Sequence, residues 1–425
     1  MSIATIYPSE GFHFQSSAIA PDKSISHRCA MFAMLAEGKT VIRNFLRGED
    51  TMNSLRIVEK LGAKIEDDGE IITIESDGIQ EPDDILDCGN SGTGMRLFCG
   101  LLASADGHFV LSGDAYLNRR PMKRVTGPLR DIGAELDGRN HGDLAPISIR
   151  GGSLRAFDYT SKIASAQVKS AMILAALNAD APCTYREPEQ SRDHTERMLR
   201  GMGAGIEVNG LTTTIQPMEK LLLPLDIRVP ADPSSAFFFA VAAAITPGAT
   251  TVVEGVTLNP TRIEAFKALE RMGADITYDL KDDKYEPIGD ITVKYAPLKA
   301  ITVEDNISWL IDELPALSIA MACAEGTSVI KNAEELRVKE SDRISTVVEN
   351  LRHCMIEVDE FEDGYAVKGG ELMPAVVESH GDHRIAMSFI IAGLRCGMKV
   401  EDIDCINTSF PNFFDLLGEI TKIER

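Results

Sequence analysis

The chain has 425 residues, 44% of them hydrophobic and 25% charged, which predicts two or three domains with ample cores and excludes a disordered chain or a small stapled scaffold. Lys and Arg number 43 against 65 Asp and Glu, and the net charge of -22 repels polyanions, so no nucleic acid partner is expected. The longest apolar run, Ala236 to Ile245, is ten residues and far short of a bilayer span, so no membrane partner is expected either.

The first basic residue is Lys23, so the N-terminal stretch has neither the charged start of a signal peptide nor the arginines of a transit peptide, and a cytoplasmic location is expected. The eight cysteines show no C-x-x-C spacing and sit mostly among apolar neighbours, which reads as buried thiols. Cys99 has no base beside it in sequence and is a poor nucleophile on that ground.

In chain order, a short N-terminal strand is followed by a unit that recurs. Each copy opens on a helix of small and apolar residues, predicted at 29–36, 95–104, 170–177, 236–245, 317–324 and 385–394. A helix apolar on every side is buried on every side. An amphipathic helix comes next, as in Ile263, Phe266, Leu269 and Met272, where Thr261 is the expected cap.

These second helices run into Leu61-Gly62-Ala63, Ile132-Gly133-Ala134, Met202-Gly203-Ala204 and Met272-Gly273-Ala274, with the glycines 71, 70 and 70 residues apart. A degenerate fifth copy passes through Leu351 to Met355, and a sixth closes on Lys422-Ile423-Glu424. Short strands are predicted between the helices at 71–74, 109–111, 147–149, 213–215 and 291–293. Six copies in one core would be too large, so three per domain is the expected split. The proline-bearing segment from Leu223 to Ser235 is the crossover. The predicted domains are residues 16–227, holding copies one to three, and a discontinuous 1–15 plus 228–425, holding copies four to six. The N-terminal strand is expected to pair within the latter.

Polar clusters fall at predicted helix starts, where unsatisfied N–H groups and the positive dipole end favour anions. The first runs from Pro21 through Lys23, Ser24 and His27 to Arg28, with Ser24 and Arg28 on one helix face and Lys23 at its mouth. The second, Gly89 to Arg96, carries Gly92, whose missing side chain lets backbone amides approach a phosphate, and Arg119-Arg120-Pro121 follows. The third is Ser165-Ala166-Gln167-Val168-Lys169, with Ser165 and Lys169 one turn apart and Gln167 able to bond a hydroxyl. In the fourth, Arg337 to Arg343, Lys339 and Arg343 are expected one turn apart around Glu340, and a matching basic start recurs at His383-Arg384. Convergent cations of this kind suit two anionic groups bound together. Asp312 and Glu313 precede Pro315 and read either as caps or, for a carboxylate among bound hydroxyls, as a general base.

Other patterns fail. Gly38-Lys39-Thr40 lacks the first glycine of a phosphate-binding loop, no G-x-G-x-x-G follows a strand, and His380 with His383 has no compact set of further ligands. No metal is expected.

Taken together, the stretches Asp22 to Arg28, Gly89 to Thr93, Arg120-Pro121, Ser165-Ala166-Gln167, Arg337 to Arg343 and Asp382-His383-Arg384 resemble, over the whole chain, the EPSP synthase (3-phosphoshikimate 1-carboxyvinyltransferase) family of enolpyruvyl transferases. The resemblance implies an α/β fold, a two-domain inside-out α/β barrel of six βαβαββ-type repeats, three per domain, with the active site in the interdomain cleft. It implies transfer of the carboxyvinyl group of phosphoenolpyruvate to the 5-hydroxyl of shikimate 3-phosphate in the shikimate pathway, without a cofactor and, by expectation, as a monomer. On the family pattern Lys23, Ser24, Arg28, Ser165, Ala166, Gln167, Arg192, Asp312 and Lys339 hold shikimate 3-phosphate. Lys23, Gly92, Arg120, Gln167, Arg343 and Arg384 hold phosphoenolpyruvate. Asp312 is the expected base toward the 5-hydroxyl, and Glu340 with Lys23 the proton donor and acceptor at carbon.

The chain departs from the family pattern at Thr408, where many members have a lysine that touches phosphoenolpyruvate, at Glu335, often asparagine, and at Pro21, often glycine. The family is the target of glyphosate, and the stretches around Ser165, Arg192 and Asn259 resemble a bacterial branch that often tolerates it. Two other readings stand beside this one. The UDP-N-acetylglucosamine enolpyruvyl transferases share fold and donor but usually carry a loop cysteine, which residues 113–118 lack. A non-catalytic anion clamp would keep the cations but gain nothing from two nearby carboxylates.

Overall fold

A computed structural model describes residues 2–283 and 285–425. It falls into two compact units, one of residues 2–20, 230–283 and 287–425, the other of residues 21–229 with 285 and 286.

In the second unit three helices, Lys23–Ala33, Gly92–Ala103 and Ala166–Ala176, are buried along almost their whole length, as their apolar composition requires. Their first turns are capped by Asp22, Ser91 and Ser165, each of which accepts from a backbone N–H. Two of them touch backbone to backbone: a Cβ built on Gly100 would lie 2.2 Å from the carbonyl oxygen of Ala171. The amphipathic helices Glu49–Lys60, Lys123–Asp131 and His194–Gly201 bury one face.

The first unit repeats the plan with Pro233–Ile245, Leu314–Ala322 and His383–Cys396 as its inner helices. Phe14 stacks on Phe239 there, with ring centroids 4.5 Å apart. Its amphipathic helix Glu264–Arg271 has no side-chain cap, so the expectation for Thr261 is corrected: its backbone N–H and hydroxyl both bond Asn259 Oδ1 inside the preceding turn.

Each unit carries three open, four-stranded sheets of one design: a parallel edge pair, then two antiparallel pairs. In four of them the parallel edge strand comes just before its helix, as with Leu86–Asp87 beside Gly107–Ser112. The remaining two exchange it. His13–Ser16 pairs with Thr250–Thr257, and Asp226–Arg228 pairs with Thr40–Arg43. The N-terminal strand Ile3–Ile6 lies between Met398–Glu401 and Ile423–Glu424, completing the sixth sheet.

The turn between amphipathic helix and strand explains the recurrent glycine: Gly62, Gly133, Gly203 and Gly273 have φ of +101°, +97°, +92° and +106°. Met355 holds that place in the fifth copy with φ +62°. It is exposed and loses no packing if trimmed. Met355→Gly is expected to raise stability by about 1 kcal/mol, read as a higher denaturant midpoint with an unchanged m-value.

Candidate active site

Most site residues of the second unit stand on or beside the first turns of its inner helices. Lys23 forms an ion pair with Asp50. Arg28, one turn on, donates from Nη1 to the carbonyl of Ser24 at 3.0 Å and is itself buried. His27 is clamped between the hydroxyls of Ser54, 2.8 Å from Nδ1, and Ser91, 3.2 Å from Nε2. Burial, then the charge of Lys23, pushes its pKa down to about 3, so the ring is neutral and holds the cap of the glycine-opened helix.

At that helix start a Cβ on Gly92 would lie 3.1 Å from Arg96 Nη1 and 3.3 Å from Arg120 Nη1, so two guanidiniums flank the bare backbone. Arg96 Nη1 donates to Gln167 Oε1 at 2.7 Å, and Gln167 Nε2 donates to Thr93 Oγ1 at 3.0 Å. Ser165 caps the third helix, with Ala166 its first residue, and Arg192 lies just before the helix His194–Gly201. Lys169, one turn on from Ser165, points into the core. Its ammonium is buried, 2.7 Å from Glu187 Oε1 and 2.9 Å from Glu196 Oε1.

In the first unit one guanidinium organises the site. Arg343 is 2% exposed and donates from Nη1 to Asp312 Oδ1 at 3.1 Å, from Nη2 to Glu340 Oε2 at 2.6 Å and from Nε to Asp382 Oδ2 at 2.8 Å. Three carboxylates hold its pKa above the ordinary arginine value despite its burial. Lys339 Nζ lies 3.8 Å from Asp312 Oδ1. The helix begins only at Arg343, capped by Asp342, and Lys339 sits outside it in extended backbone after the 3₁₀ turn Glu334–Val338. The two cations are therefore not one helical turn apart, yet both reach Asp312.

Asp382 also caps the helix of Arg384, accepting from its backbone N–H at 2.8 Å. Among the described residues the buried Arg384 Nη1 has no hydrogen-bond partner. A buried donor in that condition is costly unless an anion accepts from it. His383 is held near neutral form, its pKa pushed down to about 4 by burial and then by Arg384. Glu313 stands at the N-cap position of the helix Leu314–Ala322, but its side chain turns inward to Ser234 and makes no capping bond. Thr408 donates to the carbonyl of Cys405 at 2.8 Å.

Asp50 was missed in the sequence, and Arg96 and Asp382 stood inside the recognised stretches without a role of their own. Asp382 carried a signal, an aspartate directly before a basic helix start; Asp50 and Arg96 reach their partners only through the fold. Among the described residues no group of three or more His, Cys, Asp or Glu is placed to hold a metal, and no helix is long and apolar enough to cross a membrane. Cys99 is buried and its thiol pushed up to about 12, which leaves it inert as a nucleophile.

Both buried histidines have depressed pKa values, so the unfolded chain takes up protons near pH 6.5 that the folded chain rejects until about 3 for His27 and about 4 for His383. Their contribution to stability is complete above pH 6.5 and is lost as pH falls, at about 1.4 kcal/mol per pH unit for each histidine. Urea midpoints at pH 7 and pH 5 are expected to show this drop, and a His27→Asn variant a shallower one.

Comparison with known proteins agrees with the geometry. The sequence profile of the family described as EPSP synthase (3-phosphoshikimate 1-carboxyvinyltransferase) matches residues 16–417. The 3-phosphoshikimate 1-carboxyvinyltransferase of Sulfurimonas denitrificans is 75% identical over 424 residues, covering 100% of this chain and 99% of that protein. The one from a Nitratiruptor species is 61% identical over 431 residues, covering 100% of both. A solved structure of EPSP synthase from Acinetobacter baumannii superposes with a TM-score of 0.90 at 40% identity, covering 100% of each chain. The chain belongs to the EPSP synthase family.

Proposed function

We propose a division of labour among these residues in the reaction of the family, transfer of the carboxyvinyl group of phosphoenolpyruvate to the 5-hydroxyl of shikimate 3-phosphate with release of phosphate, a step of the shikimate pathway to aromatic amino acids. The observation that carries it is the meeting of Asp312 and Glu340 on the one guanidinium of Arg343. Two carboxylates that meet on one cation support reading Asp312 as the base and Glu340 as the proton carrier.

Glu340, with Lys23, protonates the methylene carbon of phosphoenolpyruvate, which makes C2 electrophilic. Asp312 takes the proton of the 5-hydroxyl as its oxygen attacks C2. The tetrahedral intermediate then expels phosphate, which takes the proton held by Asp312, while the new methyl carbon returns a proton to Glu340, so both carboxylates are regenerated and the proton count closes without a metal or organic cofactor. Lys23, Ser24, Arg28, Ser165, Ala166, Gln167, Arg192, Asp312 and Lys339 hold shikimate 3-phosphate. Lys23, Gly92, Arg120, Gln167, Arg343 and Arg384 hold phosphoenolpyruvate, and the partnerless Nη1 of Arg384 supports that role. A cytoplasmic location, a monomeric state and weak inhibition by glyphosate belong to the same proposal.

The test is phosphate release from phosphoenolpyruvate with shikimate 3-phosphate against a parallel sample with UDP-N-acetylglucosamine. Release with the shikimate ester alone is expected. Release with the nucleotide sugar alone, or with neither acceptor, would overturn the reading.

A further inference from the structure

Arg28 is held by two hydroxyls that belong to none of the substrate-binding residues proposed above. Its Nε donates to Thr195 Oγ1 at 2.8 Å and its Nη2 to Ser170 Oγ at 2.9 Å, while the two hydroxyls bond each other at 2.7 Å. These contacts close a ring along one edge of the guanidinium and leave its plane a single orientation. Both hydroxyls are buried, so water does not substitute for either.

The bracket that holds them is itself built into the core. Ser170 follows Lys169 and Thr195 precedes Glu196, and the Lys169 ammonium lies 2.9 Å from Glu196 Oε1 with side chains 2% and 1% exposed. The helices Ala166–Ala176 and His194–Gly201 are thus joined twice in succession, by an ion pair and by a hydroxyl pair. Glu187 secures the other side of the ammonium at 2.7 Å and accepts from the hydroxyl of Ser191 at 2.6 Å.

We propose that Thr195 and Ser170, braced by the buried Lys169–Glu196 pair, are positioning residues that set the plane of Arg28 for an anionic group of shikimate 3-phosphate. The inference rests on the assignment of Arg28 to that substrate. Fork-to-fork recognition of a carboxylate or phosphate needs the guanidinium plane aligned with two oxygens, and a tilt of about 10–20° is enough to weaken it.

Thr195→Val keeps the shape and removes the acceptor. It is expected to raise KM for shikimate 3-phosphate about tenfold, with kcat within twofold and KM for phosphoenolpyruvate unchanged. Thr195→Ser restores the parent value, and Ser170→Ala, which deletes the second acceptor, raises the same KM about threefold. A merely structural role would lower the melting temperature without singling out one substrate. Parent KM values in both Thr195→Val and Ser170→Ala, beside an Arg28→Lys variant whose KM for shikimate 3-phosphate is raised, would overturn the clamp and leave the Arg28 assignment standing. An unchanged KM in Arg28→Lys would overturn that assignment and the clamp with it.

Discussion

Asp312→Asn is expected to lower kcat about a thousandfold, close to 4 kcal/mol of transition-state stabilisation, with the protein still folded. The amide keeps an oxygen for Arg343 Nη1, which stands 3.1 Å away, but has no basic site for the 5-hydroxyl proton. Folding survives because Arg343 retains Glu340 and the fully buried Asp382, so its charge stays compensated. Phosphate release at saturating substrates and a denaturant melt separate the two effects. Turnover within threefold of the parent would remove Asp312 from the role of base.

Gly100→Ala is expected to cost about 3 kcal/mol, against an exposed helical site where the same change stabilises. The added methyl would stand 2.2 Å from the oxygen, 2.5 Å from the Cα and 2.7 Å from the carbonyl carbon of Ala171, all backbone atoms that no rotamer change can move. The helices Gly92–Ala103 and Ala166–Ala176 would have to separate by about 1 Å through a close-packed core. Their first turns carry Gly92 and Gln167, so catalysis should weaken with stability. Equilibrium unfolding in urea gives the free energy directly, and a loss under 1 kcal/mol would mean the crossing is looser than the backbone distances state.

The repeat was legible because its signals are redundant. A helix such as Pro233–Ile245, with no polar side after its first turn, has only one place to go, and the glycine after each amphipathic helix answers to a positive φ that other residues adopt at a cost. Strand exchange was not legible: His13–Ser16 and Asp226–Arg228 are short edges whose sequences fit either partner equally well.

At the site the residue types were readable and their grouping was not. The run from Arg337 to Arg343 carries charge at every helical spacing, so it hid the break that Asp342 makes as a cap. The direction of Lys169, into the core toward two glutamates, depends on residues 18 and 27 positions away in sequence. Asp312, Glu340 and Asp382 come together only because three separate segments deliver them to one arginine.

The sixth sheet also dictates an order of events during synthesis. All three sheets of the unit built on residues 21–229 have every strand once Arg228 has emerged, so that unit can close on the ribosome. Ile3–Ile6 leaves the ribosome before the other described strands but pairs with Met398–Glu401 and Ile423–Glu424. At roughly 10 residues per second it waits about 40 s with both edges exposed. A strand made ahead of the other described strands is among the last to be paired.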